Sequence, residues 1–471
     1  MIFTSPVFII FFVAVLFGTL LIQKFSHQSN NQNTKHVFLL IASYIFYGWW
    51  DWRFCFLLMF VTVISYVTAL HSSKKFAFLT GIAIPLIVLG IFKYFNFFLS
   101  SIAAITNHEF ITLKIILPVG ISFYTFQALS YVIDVHNGKI PVEKNLVKLA
   151  LYISFFPQLV AGPIVRASDF LPQLNEKNNS RKISIQNFNI GIQIIAMGFF
   201  KKIVLADHIS VFVDDVFRVP VAFHWATIIL AVISYSLQIY LDFSGYSDIA
   251  IGCAKCLGYD FNVNFNLPYI SQNVTEFWRR WHISLSGWLR DYLYIPLGGN
   301  CKGNLRRYVN LMITMLLGGL WHGANWTFVF WGGLNGIALC LEKLFSCFFP
   351  KKSGNFKLIK ILVTFMFVSF TWIFFRAENF DKARLIITGI FTLQNGIKQP
   401  FLWSFVGIGL LIISEIAAFL KSKRENLNYV QGFCPIMDLN TVTGLTTFFV
   451  FVGIILGLAF TGENPFVYFQ F

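Results

Sequence analysis

Apolar runs follow one another along almost the whole chain, at 6–22, 37–50, 54–70, 76–99, 115–133, 146–162, 187–206, 226–241, 309–321, 325–348, 357–375, 401–420 and 441–461. No single water-soluble core of a 471-residue chain can hide so many. Charge is correspondingly scarce. Charged residues make up 12% of the sequence, where soluble domains carry about a quarter. Phe alone contributes 57 side chains. Lipid must therefore be the solvent for most of the surface, which implies an all-α integral membrane protein. A full span takes about 20 apolar residues, and several runs are shorter. We expect roughly eleven transmembrane helices, with the short runs tilted, re-entrant or interfacial.

The first run reads as a retained span and not as a cleaved leader. It has no basic flank before it and no small-residue cleavage pattern after it. Lys24 and Lys35 follow it, with His27 and His36, so the positive-inside rule puts the amino terminus outside and the 23–36 loop in the cytoplasm. Lys74 and Lys75 agree, as do Lys139, Lys144 and Lys148. The net charge of +15 is what basic loops against anionic lipid produce, and nucleic acid is not needed to explain it. A negatively charged partner at that face, such as a coenzyme or acyl carrier, is compatible.

The seven cysteines are scattered and odd in number, which is not a disulfide framework. Cys253 and Cys256 form a CxxC with no second pair to complete a zinc site. No regular repeat supports an inverted-repeat transporter. The stretch 163–186, with Lys177, Arg181 and Lys182, reads as a cytoplasmic loop. The stretch 259–308 also lacks a span but is rich in Trp, Tyr and Arg, and loops of that length usually serve a function.

Three polar constellations stand out. The first is 276–292, EFWRRWHISLSGWLRDY. Trp278, Trp281, Leu285, Trp288 and Tyr292 recur at helical spacing, and Arg279, His282, Ser286 and Arg290 keep the same rhythm on another face. This predicts one interfacial amphipathic helix, capped by Thr275. Its basic face is either a snorkelling anchor or a binding face for a phosphate- or thioester-bearing donor. The glycines of YIPLGGN, 294–300, allow a tight turn.

The second is His322 in LLGGLWHGANWTFVFWGG, 316–333. An ionisable residue between apolar flanks is a functional candidate, with a structural bond to a neighbouring helix as the alternative. Burial disfavours imidazolium, and a neutral imidazole is what a general base requires. Gly318, Gly319 and Gly323 leave room for a substrate or another helix. Asn325, three residues on, is placed to orient the ring or hold the substrate. The third is Asp242 and Asp248 in SLQIYLDFSGYSDIAIG, 236–252. They serve either as a proton or cation site or as fold-fixing groups that bond backbone and arginine at a broken helix.

Together these stretches resemble the membrane-bound O-acyltransferase family, in its bacterial branch of alginate O-acetylases, peptidoglycan O-acetyltransferases and the teichoic acid D-alanyl transfer protein. FFPQLVAGPIVRASDFLPQL (155–174), LDFSGYSDIAIG (241–252), FWRRWHISLSGWLRDYLYIPLGGN (277–300) and GGLWHGANWTFVFWGGLNG (318–336) carry the likeness, which runs from about Pro118 to the end. His322 matches the family's invariant histidine and His282 its upstream one. IPLGGN points to the acetylating members more than to the D-alanyl branch. The terminal PFVYFQF fits an F-x-Y-x-x-F ending through Phe466, Tyr468 and Phe471.

The resemblance implies a single membrane-embedded domain over 1–471 around a central funnel. Amino-terminal spans would cover 1–115, the family core 116–345 and carboxy-terminal spans 346–471. It implies an O-acetyltransferase of the bacterial inner membrane, using acetyl-CoA or another acyl thioester as substrate with no bound cofactor. A periplasmic SGNH-type acetyltransferase partner or a relay residue would then esterify an exported polysaccharide, peptidoglycan or alginate-like. His322 would be the general base, and Tyr468 a transient acyl carrier. His282, Arg279 and Arg290 would shape the donor entrance, with Trp281, Ser286, Trp321 and Asn325 beside them. Asp242, Asp248 and Arg166 would hold the tunnel. No metal is implied, since the histidines lack ligand spacing. An ion-coupled carrier built on Asp242 and Asp248, D-alanyl-type transfer, and a non-catalytic export subunit are the alternatives.

Overall fold

The computed structural model describes residues 1–25, 32–108, 110–160, 162–175, 183–348, 356–410, 413 and 437–462. Over these residues the secondary structure is helical, apart from one isolated bridge between Phe223 and Ile397. The protein is an all-helical, multi-pass membrane protein. Seven helices among the described residues are long and apolar enough to cross a bilayer: Pro6–Phe25, Arg53–Leu70, Lys75–Thr106, Ile185–Arg218, Trp225–Cys256, Trp326–Phe345 and Lys357–Arg376. The 401–420 run lies mostly outside them. Exposed apolar side chains mark the lipid face. Ile10 on the first helix is 71% exposed and Met366 on the last of the seven is 62% exposed.

The chain packs as two compact units, Met1–Ile195 with Tyr246–Asn262, and Ala196–Gly245 with Val263–Phe471. In the first, the Ile121–His136 helix is buried on nearly every face. Gly81 lets it approach the two hairpinned helices before it, because a Cβ there would lie 2.5 Å from Thr68 Oγ1 and 3.0 Å from Val132 Cγ1. Two expectations change here. Lys35 and His36 belong to the Gln32–Gly48 helix and not to a loop, with Lys35 donating to the Leu257 carbonyl at 3.2 Å. Part of the expected 163–186 loop is the helix Ala167–Asn175, which buries Phe170, Leu171 and Leu174. An amphipathic face of that kind needs a core, not solvent. Lys177, Arg181 and Lys182 lie outside the described residues, as does His27.

In the second unit the Gly303–His322 and Trp326–Phe348 helices form a tight antiparallel pair. Gly319 and Gly332 make this possible. A Cβ on Gly319 would lie 2.3 Å from the Phe328 carbonyl oxygen, and one on Gly332 would lie 2.2 Å from that of Met315. The backbones touch where these side chains are missing.

The segment 276–292 is not one helix. It forms Val274–Arg280 and Ile283–Leu289, then a π-turn over Arg290–Tyr294. The cap is Asn273, whose side chain accepts from Glu276 N at 2.8 Å, and not Thr275. The break falls at His282, which is left-handed at φ 41°. Asn264 dictates it, since its carbonyl accepts from Ile283 N at 2.8 Å and its Oδ1 from Ser284 N at 3.3 Å. Those N–H groups would otherwise bond within a continuous helix.

Candidate active site

Breaking the helix separates side chains that periodicity had put on shared faces. Trp281 turns fully into the core, with ring centroids 5.1 Å from Phe265, 5.5 Å from Phe277 and 5.0 Å from Trp372. Arg279, Ser286 and Arg290 instead line a cavity of about 560 Å³. Trp278, Leu285 and Leu289 join them, and the antiparallel pair supplies Leu311, Thr314, Met315, Gly318, His322, Trp331, Leu339 and Lys343.

The cavity is elongated. Helix rise puts Lys343 about 18 Å along its helix from Trp331, and Leu311 about 16 Å from His322. Because the helices are antiparallel, His322 and Trp331 share one end and Leu311, Leu339 and Lys343 the other. Arg290 lies in an ion pair with Asp291 at 2.6 Å.

His322 is the last residue of its helix and only 4% exposed. Its ring lies 5.2 Å from Trp331 and from Phe375, edge-on to both, and 5.1 Å from Trp321. An imidazole in this aromatic cage is held in place by packing while its cavity side stays open to a reactant. The glycines around it divide their roles. Gly318 lines the cavity, and a Cβ there would meet only Leu289 Cδ1, at 3.2 Å. Gly319 serves the helix contact. A Cβ on Gly323 would collide with the Phe328 ring at 2.2 Å.

His282 does not shape the cavity entrance. It is fully buried and absent from the cavity lining. Its Nδ1 lies 3.1 Å from Asn264 Oδ1. The Ser284 backbone N–H can only donate, so the Asn264 atom it meets is the amide oxygen. Nδ1 must then carry the proton, and Nε2 the lone pair. Nε2 has no hydrogen-bond partner among the described residues. Burial pushes the pKa of this imidazole down to about 3, so it is neutral at physiological pH. Phe243 at 4.6 Å and Trp321 at 6.0 Å enclose it, and Trp321 thus sits against both histidines.

Asn325 is not part of the site. Its amide donates to the Glu378 carbonyl at 2.8 Å, and its Oδ1 caps Thr327 N at 3.0 Å, so it starts the next helix instead of orienting His322. Asp242 lies on an unbroken helix, Trp225–Cys256, and its partner is a lysine and not an arginine. Lys202 Nζ stands 2.7 Å from Asp242 Oδ1 and 2.7 Å from Asp207 Oδ1. Gly245 brings the two backbones together there, where a Cβ would lie 2.8 Å from the Gly198 carbonyl oxygen. Asp248 and Arg166 belong to the first unit. None of these three lines the cavity. Tyr468, with Phe466 and Phe471, lies outside the described residues.

Periodicity missed Asn264, Lys343, Trp331 and Lys202. A lysine pair inside the 187–206 apolar run was the visible signal for Lys202. Asn264 carries no such signal, because its role is a bond to residues eighteen to twenty positions away.

The sequence profile of the membrane-bound O-acyltransferase family matches residues 140–380, which hold the whole cavity lining. A probable alginate O-acetylase of Pseudomonas putida is 37% identical over all of both chains. A peptidoglycan O-acetyltransferase of Helicobacter pylori is 37% identical over 91% of this chain and 84% of its own. A teichoic acid D-alanyltransferase of Bacillus subtilis is more distant, 27% identical over 56% of this chain and 69% of its own.

Proposed function

This chain belongs to the membrane-bound O-acyltransferase family and is an acyltransferase, and we propose that it moves acetyl from a cytoplasmic thioester, acetyl-CoA or a like donor, toward an exported polysaccharide. The observation that carries the proposal is the elongated cavity. It has an imidazole, His322, at one end and the cationic side chains Arg279, Arg290 and Lys343 among its lining. A linear donor with an anionic head and a reactive thioester matches that layout. His322 takes the proton of an acceptor hydroxyl, and the oxygen attacks the thioester carbonyl. The C–S bond breaks, and the imidazolium returns the proton to the departing thiolate.

The acceptor polymer is alginate-like or peptidoglycan, as the names of the two acetylating relatives suggest. The reading includes an inner-membrane location with the amino terminus outside, an orientation that Lys24, Lys74 and Lys75 support by the positive-inside rule. The first acceptor is the Tyr468 phenol or a periplasmic SGNH-type partner, either of which would hand the acetyl group to sugar hydroxyls. The 1–471 chain then works as one domain, with Asp242, Asp248 and Arg166 as supports of the fold and not as donor contacts.

His322→Ala tests this. Acetyl transfer should fall by about 10²–10⁴-fold in protein whose membrane insertion is unchanged. Full activity in inserted His322→Ala protein would sink the catalytic reading. In the same assay Tyr468→Phe should stop transfer where the phenol is the first acceptor, and unchanged activity would remove the relay and leave the partner as first acceptor. The ion-carrier reading faces an obstacle in Lys202, which already occupies the position between Asp207 and Asp242. It wins if Asp242→Asn abolishes ion transport and leaves acetylation untouched.

A further inference from the structure

At the His322 end, one wall of the cavity is a layered aromatic stack. Trp331 lines the cavity, meets the His322 ring edge-on at 5.2 Å and is 1% exposed. Behind it Trp372 stacks in parallel at 5.4 Å, with 18° between the planes. Behind Trp372 lies Trp281, at 5.0 Å. Phe375 meets Trp331 at 5.0 Å and Trp278 meets it at 5.6 Å. All three indoles of the stack are essentially free of solvent. Side chains packed this way are close to incompressible. The backbone has no retreat either, because the next residue, Gly332, would place a Cβ 2.2 Å from the Met315 carbonyl oxygen. On the acyl-transfer reading, a donor with its anionic head at Lys343 would lay its thiol arm along Leu311, Thr314, Met315 and Leu339. An acyl group presented to His322 on that donor would then point the other way, toward Trp331.

We propose that Trp331 sets the size of the acyl group, so that the site accepts acetyl and excludes longer chains by steric stop. The inference rests on the acyl-transfer reading above and adds the residue that selects the substrate. Each methylene beyond acetyl would have to displace a layered aromatic stack, and one methylene in such a pocket changes kcat/KM by about tenfold or more.

The test uses the full chain reconstituted in liposomes, with acetyl-CoA and butyryl-CoA as donors. The wild type should prefer acetyl by about 100-fold or more in kcat/KM. Trp331→Phe and Trp331→Leu should narrow that ratio at least about tenfold, mainly through faster butyryl transfer. Binding of the non-reactive ketone analogue of butyryl-CoA gives a second readout that needs no turnover, and it should tighten by a similar factor in both variants. The proposal is overturned if the wild type uses both donors equally. It is equally overturned if neither the ratio nor the analogue's affinity moves in the variants. Failure of the underlying reading looks different, for then the wild type transfers no acyl group from either thioester, or His322→Ala transfers as well as the wild type.

Discussion

Two buried polar regions of the second unit invite comparison: the Lys202 cluster and the His322 cavity. At Lys202 an ammonium satisfies two carboxylates at 2.7 Å each, in a place where glycine has let two helices touch. No cavity-lining residue belongs to it. At His322 the ring is packed by aromatic rims on three sides and lines open space on the fourth. Polar groups in an apolar medium can be there for architecture or for chemistry. What separates the two is access: His322 lies against open space, and the Lys202 cluster does not. The comparison breaks most directly at Lys202. Lys202→Met removes the ammonium that Asp207 and Asp242 share, and losing one partner of such a buried cluster costs about 3–5 kcal/mol. The thermal midpoint in detergent should drop by several degrees, and the protein that survives should keep its donor KM. A variant as stable as the wild type would remove the clamp role.

This division explains what the sequence could and could not disclose. Apolar run length exposed the membrane class, and a histidine between apolar flanks exposed His322, because both signals are local. The face assignment of 276–292 was half legible. Arg279, Ser286 and Arg290 do share the cavity, as their spacing suggested, whereas His282 and Trp281 leave it. The cause is a long-range bond. Asn264 takes the N–H groups of Ile283 and Ser284, and a helix broken by a partner eighteen or more residues away has no periodic signature. Asn325 misled for the opposite reason. Its spacing to His322 assumed a continuing helix, but His322 ends one and Asn325 caps the next. Asp242 was visible as a charge, but its partner Lys202 lies on another helix, so no local spacing joins the two.

The neighbouring glycines Gly318 and Gly319 repeat the comparison on the scale of one helix turn. A methyl at 319 meets the Phe328 carbonyl oxygen at 2.3 Å, and backbone cannot swing aside. Gly319→Ala should therefore cost about 1–3 kcal/mol of stability, the usual cost of overpacking. A methyl at 318 meets only the tip of Leu289 at 3.2 Å, so Gly318→Ala should leave stability within about 0.5 kcal/mol. It should instead lower donor kcat/KM, since it narrows the passage one turn from His322. Thermal midpoints and kinetics measured on both variants decide this. Equal losses of stability would erase the distinction between packing glycine and passage glycine.

The smallest effect tests the far end of the cavity. Lys343 stands about 18 Å along its helix from Trp331, too distant to touch a carbonyl at His322. If it serves the donor's anionic head, its contribution is made equally in the ground state and the transition state. Such an interaction appears in KM and not in kcat. Lys343→Ala should raise the KM for acetyl-CoA about tenfold at low salt, the size expected for one charge-assisted contact, with kcat nearly unchanged. Added salt should shrink the difference between variant and wild type, because exposed parts of such a contact are screened. A change confined to kcat, or a KM that ignores both the mutation and the salt, would mean that the donor's charge is bound elsewhere. The cavity would then be a passage for the acyl arm alone, ending at the same histidine and the same indole wall.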